Sequence, residues 1–207
     1  MPVQPRYRLP YAPRATSIGL FGGSFDPAHA GHVQVTKHAL LRLQLDQVWW
    51  LVSPGNPLKR HGPAPLDIRI EHARRLMQHP RVQITAIEKD ICTRYTADTL
   101  ATIRHLYPAR RFVWIMGADN LATFHRWESW RAILDTMPIA VVARPGQKMR
   151  ALSSVAARSM AKARLPERDA HLLARMAPPA WCFLNIPMLD MSSSQLRQEG
   201  GWRPAEA

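Results

Sequence analysis

An α/β fold is predicted for this chain: a doubly wound parallel sheet with helices on both faces, Rossmann-like in its winding. Three observations predict it. Short apolar runs alternate with segments of helical periodicity along most of the 207 residues. Those runs are continuous, as in strands buried on both faces. A glycine-rich turn follows the first run, and open sheets of this kind meet their ligands beyond the carboxyl ends of the strands. Strand and helix in alternation make βαβ units and a parallel sheet. Right-handed crossovers then put helices on both sides.

The elements follow in order. Ser17–Phe21 is the first strand, followed by turn residues, and Gly31–Leu45 places Val33, Thr36, Leu40 and Leu43 at helical spacing. "QVWWLVS", Gln47–Ser53, is a buried strand, and Pro54–Pro65 is a Pro/Gly loop. Leu66, Ile70, Ala73 and Met77 mark a second helix, and Val82–Ile87 a strand. Leu100, Ile103 and Leu106 mark a helix that Pro108 ends. Arg111–Gly117 is another buried strand, followed by a tryptophan-rich helix over Trp127–Met137 and the strand Ile139–Ala143. Gly146–Pro179, basic and alanine-rich, is expected to form one or two peripheral helices. Trp181–Ile186 is a late strand, and "SSSQLRQEGG" a short helix stopped by Gly200 and Gly201. Trp49, Trp50, Trp114 and Trp130 are expected in the core by their placement.

Size and composition narrow the function classes. Lys and Arg number 28 against 15 Asp and Glu, a net charge of +13. Such a balance draws polyanions or is spread over a solvated surface. The cysteines, Cys92 and Cys182, match no paired metal spacing, and two free thiols suit a reducing cytoplasm. Residues 1–15 carry Pro2, Pro5, Pro10 and Pro13 and no apolar stretch of signal-peptide type, so they are expected as a flexible tail. Residues 16–207 are expected as one domain. No run approaches the roughly 20 apolar residues that span a bilayer.

The first turn, "GGSFDPAHAGH", carries the chemistry. Gly22 and Gly23 let the backbone come close to a ligand. The helix that follows offers unpaired N–H groups and partial positive charge, which favour phosphate. His29 and His32, three apart, fall on one face at that end. The turn matches neither the dinucleotide fingerprint nor the P-loop. No third ligand stands at a spacing that would make the histidines a metal site, and none is expected.

A second unusual stretch is Ser192, Ser193 and Ser194 before the last helix. Serine caps helices in ordinary circumstances. If Ser194 caps, Arg197 stands where a capping box wants Glu or Gln. A cation there opposes the helix dipole unless an anion docks on it. Asp190 is the alternative partner.

These two stretches resemble the two signatures of the nucleotidyltransferase superfamily: His/Thr-x-Gly-His after a Gly-rich first strand, and Ser-Ser/Thr-x-x-Arg near the end. Between them, "SPGNPLK" (Ser53–Lys59), "RYTADTL" (Arg94–Leu100) and "GADNLATFHRWESW" (Gly117–Trp130) resemble its nicotinate-nucleotide adenylyltransferase branch. The resemblance runs from about Ile18 to Arg197. It implies transfer of AMP from ATP to nicotinate mononucleotide, with His29, His32 and Arg197 catalytic. It further implies that Gly22, Gly23, Ser24, Phe25, Gly117, Asp119, Ser192, Ser193 and Ser194 meet ATP, Asp119 at the ribose. Lys59, Tyr95, Thr96, Arg126 and Trp127 would meet the mononucleotide, Trp127 by stacking on the pyridine ring. Mg2+ would arrive with ATP. No nucleic acid or membrane partner is implied, and the chain would act in the cytoplasm as a monomer or homodimer. Two departures stand out: Ser24 where the branch often has Thr, and Arg94 where it commonly has a small residue. The alternatives are the same chemistry on nicotinamide mononucleotide, a pantetheine-phosphate enzyme of the superfamily, and a non-enzymatic nucleic-acid binder motivated by the charge.

Overall fold

The computed structural model describes residues 9–55, 62–187, 191–200 and 202. In chain order the elements are β1 (Ser17–Gly23), α1 (Ala30–Arg42), β2 (Gln47–Val52), α2 (Leu66–Leu76), β3 (Val82–Thr85), α3 (Ile87–Asp90) and α4 (Thr96–Leu106). Then come β4 (Arg111–Gly117), α5 (Ala118–Thr123), α6 (Trp130–Thr136), β5 (Ile139–Val142), α7 (Lys148–Leu152) and α8 (Val155–Ser159). β6 (Arg164–Leu165), a 3₁₀ stretch over Glu167–Arg175, β7 (Trp181–Leu184) and α9 (Ser193–Gln198) complete them.

The seven strands form one sheet in the order β3-β2-β1-β4-β5-β7-β6, every neighbouring pair parallel. This is the doubly wound, Rossmann-like arrangement. Its direction reverses between β1 and β4, and the crevice beyond their carboxyl ends is the ligand position of such sheets.

Strand periodicity divides the apolar residues between two cores. Ile18, Leu20, Trp49, Phe112, Trp114, Val141 and Trp181 face one side, where Leu100, Ile103, Leu121 and Ile133 of α4, α5 and α6 cover them. Phe21, Val48, Trp50, Val113, Ile115 and Cys182 face the other, under Ala39 and Leu40 of α1, Ala73 of α2 and Leu173 of the 3₁₀ stretch. Adjacent Trp49 and Trp50 thus serve opposite cores, both 0% exposed. Trp114 and Trp130 are buried as expected. Cys92 is exposed and Cys182 buried, both as free thiols.

Several boundaries differ from the sequence reading. β1 runs on through Gly22 and Gly23, so these glycines end the strand instead of forming the turn. The expected helix over Trp127–Met137 begins only at Trp130, because Ser129 turns the chain into the left-handed region (φ 50°) and Trp127 is extended. The strand expected to reach Ile87 stops at Thr85, and Ile87 opens α3. The Gly146–Pro179 region holds helices α7 and α8 as anticipated, but also β6, two residues on the sheet edge that carry no periodic signal. Residues 9–15, expected loose, are held: Ala12 is buried, Tyr107 Oη donates to the Pro10 carbonyl at 2.8 Å, and Arg110 Nη2 to that of Ala12 at 2.6 Å. Among the described residues no helix is long and apolar enough to cross a membrane.

Candidate active site

Both histidines of the first turn are in its capping network. His29 is the N-cap of α1, its extended backbone (φ −147°, ψ 172°) leading into the helix. The Gly31 N–H donates to His29 Nδ1 at 3.1 Å, and the His29 N–H donates to His32 Nδ1 at 3.1 Å. This is a capping box built from two imidazoles in place of the usual hydroxyl and carboxylate. Backbone N–H groups can only donate, so each neutral ring carries its proton on Nε2. The proton position that the sequence leaves open is therefore fixed by the cap. The ring centroids lie 3.9 Å apart, and His29 and His32 are 4% and 9% exposed.

Their protonation follows from the surroundings. Burial, aided by the charge of Arg144, lowers the His29 pKa to about 4. His32 is held well below its usual value by burial, then by His29, then by Arg144. Both are neutral at pH 7, with two N–H donors at the positive end of a helix.

The preceding loop is held open by packing. A Cβ on Gly22 would overlap the Trp114 indole, so packing by itself requires glycine there. Phe25 takes a left-handed backbone (φ 46°), a conformation unfavourable to a bulky residue. Its ring stacks on Trp50 at 4.6 Å and 7° between planes, which holds it there. Arg69 of α2, 0% exposed, gathers the surrounding loops. Its guanidinium donates to the carbonyls of Ser24 (2.5 Å), Ser53 (2.8 Å), Pro54 (3.2 Å) and Ala64 (2.6 Å). Buried carbonyls need such partners, and one planar fork serves four of them.

The last helix closes on this loop. Ser193 Oγ donates to the Pro27 carbonyl at 2.9 Å. Arg197 donates to the Asp26 carbonyl, and its Nη1 lies 3.6 Å from Asp26 Oδ2. The capping argument changes accordingly. Ser192, not Ser194, is the N-cap, accepting from the Gln195 N–H at 3.1 Å. Arg197 then stands in the last turn, where a cation suits the helix dipole. Its partner is Asp26; Asp190 lies outside the described residues.

Gly117 is the N-cap of α5, and Asp119 sits in that helix's first turn. A Cβ on Gly117 would overlap the Asp119 carboxylate, so the glycine makes room for it. Asp119 Oδ1 lies 3.4 Å from Arg144 Nε, in the turn after β5. A shallow cleft opens there, lined by Gly31, Gln34 and Val35 of α1 and by Ala143, Arg144 and Ile186. Across the sheet, Tyr95 and Thr96 begin α4, with Tyr95 39% exposed. Trp127 is half-buried, edge-on to Phe124 at 5.4 Å, and packs on the core that also holds Ala97 and Leu100. Arg126 is exposed. Lys59 lies outside the described residues.

The structure therefore brings the two signatures together and sets Asp119 at the end of β4, beside them. It adds Arg144, Arg69 and Asp26, which the sequence reading missed. Arg144 had a usable signal: a cation directly after a strand's carboxyl end, before Pro145 and Gly146. Arg69 had none, since an arginine between helical apolar positions reads as solvent-facing.

Comparison with known proteins bears on the family and the fold. The cytidylyltransferase-like family matches residues 20–199. A Ruegeria pomeroyi protein named "Probable nicotinate-nucleotide adenylyltransferase" is 58% identical over 201 residues, covering 97% of this chain and 94% of its own length. One of the same name from Cereibacter sphaeroides is 60% identical over 186 residues, covering 90% and 98%. Among solved structures, Plasmodium falciparum nicotinic acid mononucleotide adenylyltransferase complexed with NaAD superposes with a TM-score of 0.67 over 88% of this chain and 83% of that one. At 19% identity that likeness speaks for the fold. With near-full-length relatives at this level of identity and a family match across both signatures, the chain belongs to the nicotinate-nucleotide adenylyltransferases of the cytidylyltransferase-like family.

Proposed function

We propose that the chain transfers AMP from ATP to nicotinate mononucleotide, giving deamido-NAD and pyrophosphate in NAD biosynthesis. The observation that carries the chemistry is the reciprocal cap of His29 and His32, which leaves two neutral Nε2–H donors at the start of α1. The Plasmodium falciparum relatives complexed with NaAD and with APC support the same substrates here.

A phosphate monoester has a second pKa of about 6. Its oxygen is ionised at neutral pH, and no general base is required. The oxygen attacks the α-phosphorus of ATP. The bond from that phosphorus to the bridging oxygen breaks, and its electron pair leaves with pyrophosphate. Catalysis is then alignment and stabilisation of charge on the α- and bridging oxygens. His29 and His32 donate there, with the backbone N–H groups of Gly22, Gly23, Ser24 and Phe25 around them. Ser192, Ser193, Ser194 and Arg197 hold the departing phosphates. Asp119 accepts from the ribose hydroxyls, with Arg144 beside it fixing the carboxylate, and Gly117 keeps that space clear. Trp127 stacks on the pyridinium, and Tyr95, Thr96, Arg126 and Lys59 frame the mononucleotide.

Mg2+ enters as part of the ATP complex. Among the described residues no group of three or more His, Cys, Asp or Glu is gathered to hold an ion. On a triphosphate, Mg2+ takes its ligands from phosphate oxygens and water. We assign the reaction to the cytoplasm, in keeping with two free cysteines, and to residues 16–207 acting as one domain, as monomer or homodimer, without nucleic acid or membrane.

The test is pyrophosphate release from ATP with each mononucleotide. A kcat/KM favouring the nicotinate form is expected. A preference for nicotinamide mononucleotide would reassign the acceptor, because the two differ only in a carboxylate against an amide.

A further inference from the structure

We infer that Trp202 is a positioning residue for Arg197, acting through the Asp26 carboxylate. Asp26 lies inside the first signature and is 7% exposed. Its Oδ1 accepts from Trp202 Nε1 at 2.8 Å and from the Ala64 N–H at 3.4 Å. Its Oδ2 faces Arg197 Nη1 at 3.6 Å, and that guanidinium also donates to the Asp26 carbonyl. Trp202 is seated by a second contact. Its indole packs on the His72 imidazole at 4.8 Å between centroids, and His72 Nε2 donates to the Ala28 carbonyl at 3.0 Å. The indole thus joins α2 to the first turn just beyond α9.

The physical consequence is directional. A carboxylate rotates about its Cβ–Cγ bond unless both oxygens are engaged. The indole N–H occupies Oδ1, so Oδ2 is presented to Arg197. Arg197 in turn donates from Nη2 to Ser194 Oγ at 3.1 Å. A guanidinium carries five N–H groups in a rigid fork, so donors remain for phosphate oxygens once its orientation is set. Without the indole N–H, Oδ1 keeps only the longer contact to Ala64, and the carboxylate no longer holds the fork in one plane. The inference rests on the reading that Arg197 grips the departing phosphates.

The test is steady-state pyrophosphate release by Trp202→Phe, which keeps a ring against His72 and removes the donor. We expect kcat/KM for ATP to fall about five- to tenfold, the scale of one hydrogen bond, with KM for the mononucleotide unchanged. Asp26→Asn, which keeps the shape and removes the charge facing Arg197, is expected to fall at least as far. In an Arg197→Ala background the Trp202→Phe effect is expected to disappear, because coupled residues are not additive. Parent-level turnover in Trp202→Phe or in Asp26→Asn would overturn the inference. So would the same factor in both backgrounds, with the reading of Arg197 left standing. An Arg197→Ala enzyme as fast as the parent would overturn that reading and the inference together.

Discussion

Arg144 Nε lies 3.4 Å from Asp119 Oδ1, joining the turn after β5 to the first turn of α5 at the edge of the crevice. The pair is partly solvated, with side chains 30% and 52% exposed, so its worth to folding is small. Exposed pairs contribute about 0–1 kcal/mol. Its value is positional, since it holds the carboxylate and adds positive charge beside the two histidines. Arg144→Ala is therefore expected to raise KM for ATP by about tenfold, the order of one charge-assisted contact, with little change in melting temperature. A large loss of melting temperature with KM unaltered would make the pair structural.

His32 supplies an Nε2–H and also accepts the His29 N–H. His32→Ala is expected to lower kcat by about 10²–10³, the scale for removing one transition-state donor. Loss of the cap costs stability as well, about 1 kcal/mol. Single-turnover kinetics at saturating substrates separate the two. A fall in kcat of less than about threefold would assign the chemistry elsewhere.

The histidines also set an acid limit on stability. Their folded pKa values are lowered, His29 to about 4, so the unfolded chain binds more protons as pH falls below its ordinary value of about 6.5. Stability is complete above that point and declines towards pH 4. For His29 alone the loss at pH 5 is about 2 kcal/mol. Urea unfolding of the ligand-free protein at pH 7.5 and pH 5 measures it. His29→Asn, whose side-chain oxygen can still cap the helix, is expected to lose less stability over the same interval. An identical pH dependence in that variant would show that other groups are responsible.

Gly22 is held to be glycine by the indole beneath it. Gly22→Ala is expected to destabilise by about 1–3 kcal/mol, the range for overpacking a core. Because Trp114 is 3% exposed and close-packed, the ring cannot yield without disturbing β4. Denaturant unfolding checks this. Restored stability in Gly22→Ala with Trp114→Phe would identify the indole as the obstacle.

Much of this fold was legible because its strands are buried on both faces. Gln47–Val52 and Arg111–Gly117 stand out as continuous apolar runs, and α1 and α4 show buried stripes. The two signatures were legible because each concentrates unusual residue types in a short stretch: Gly22, Gly23, His29 and His32 leading into α1, and Ser192, Ser193, Ser194 and Arg197 at α9. Boundaries were less legible. Ser129 breaks the tryptophan-rich helix through its own left-handed backbone, which no periodicity announces.

The sequence by itself determined the alternation of strand and helix, the two phosphate-seeking stretches and the neutral-pH chemistry their residue types allow. Only the tertiary structure decided the functional state of those residues. It joined His29 and His32 in one capping box, which puts their ring protons on Nε2. It set Ser192 as the cap of α9, so that Arg197 reaches Asp26, and it buried Arg69 among four carbonyls. The physical reason is one of range. Periodicity and propensity act within a few neighbours along the chain, whereas hydrogen-bond satisfaction and desolvation depend on groups brought together from distant segments.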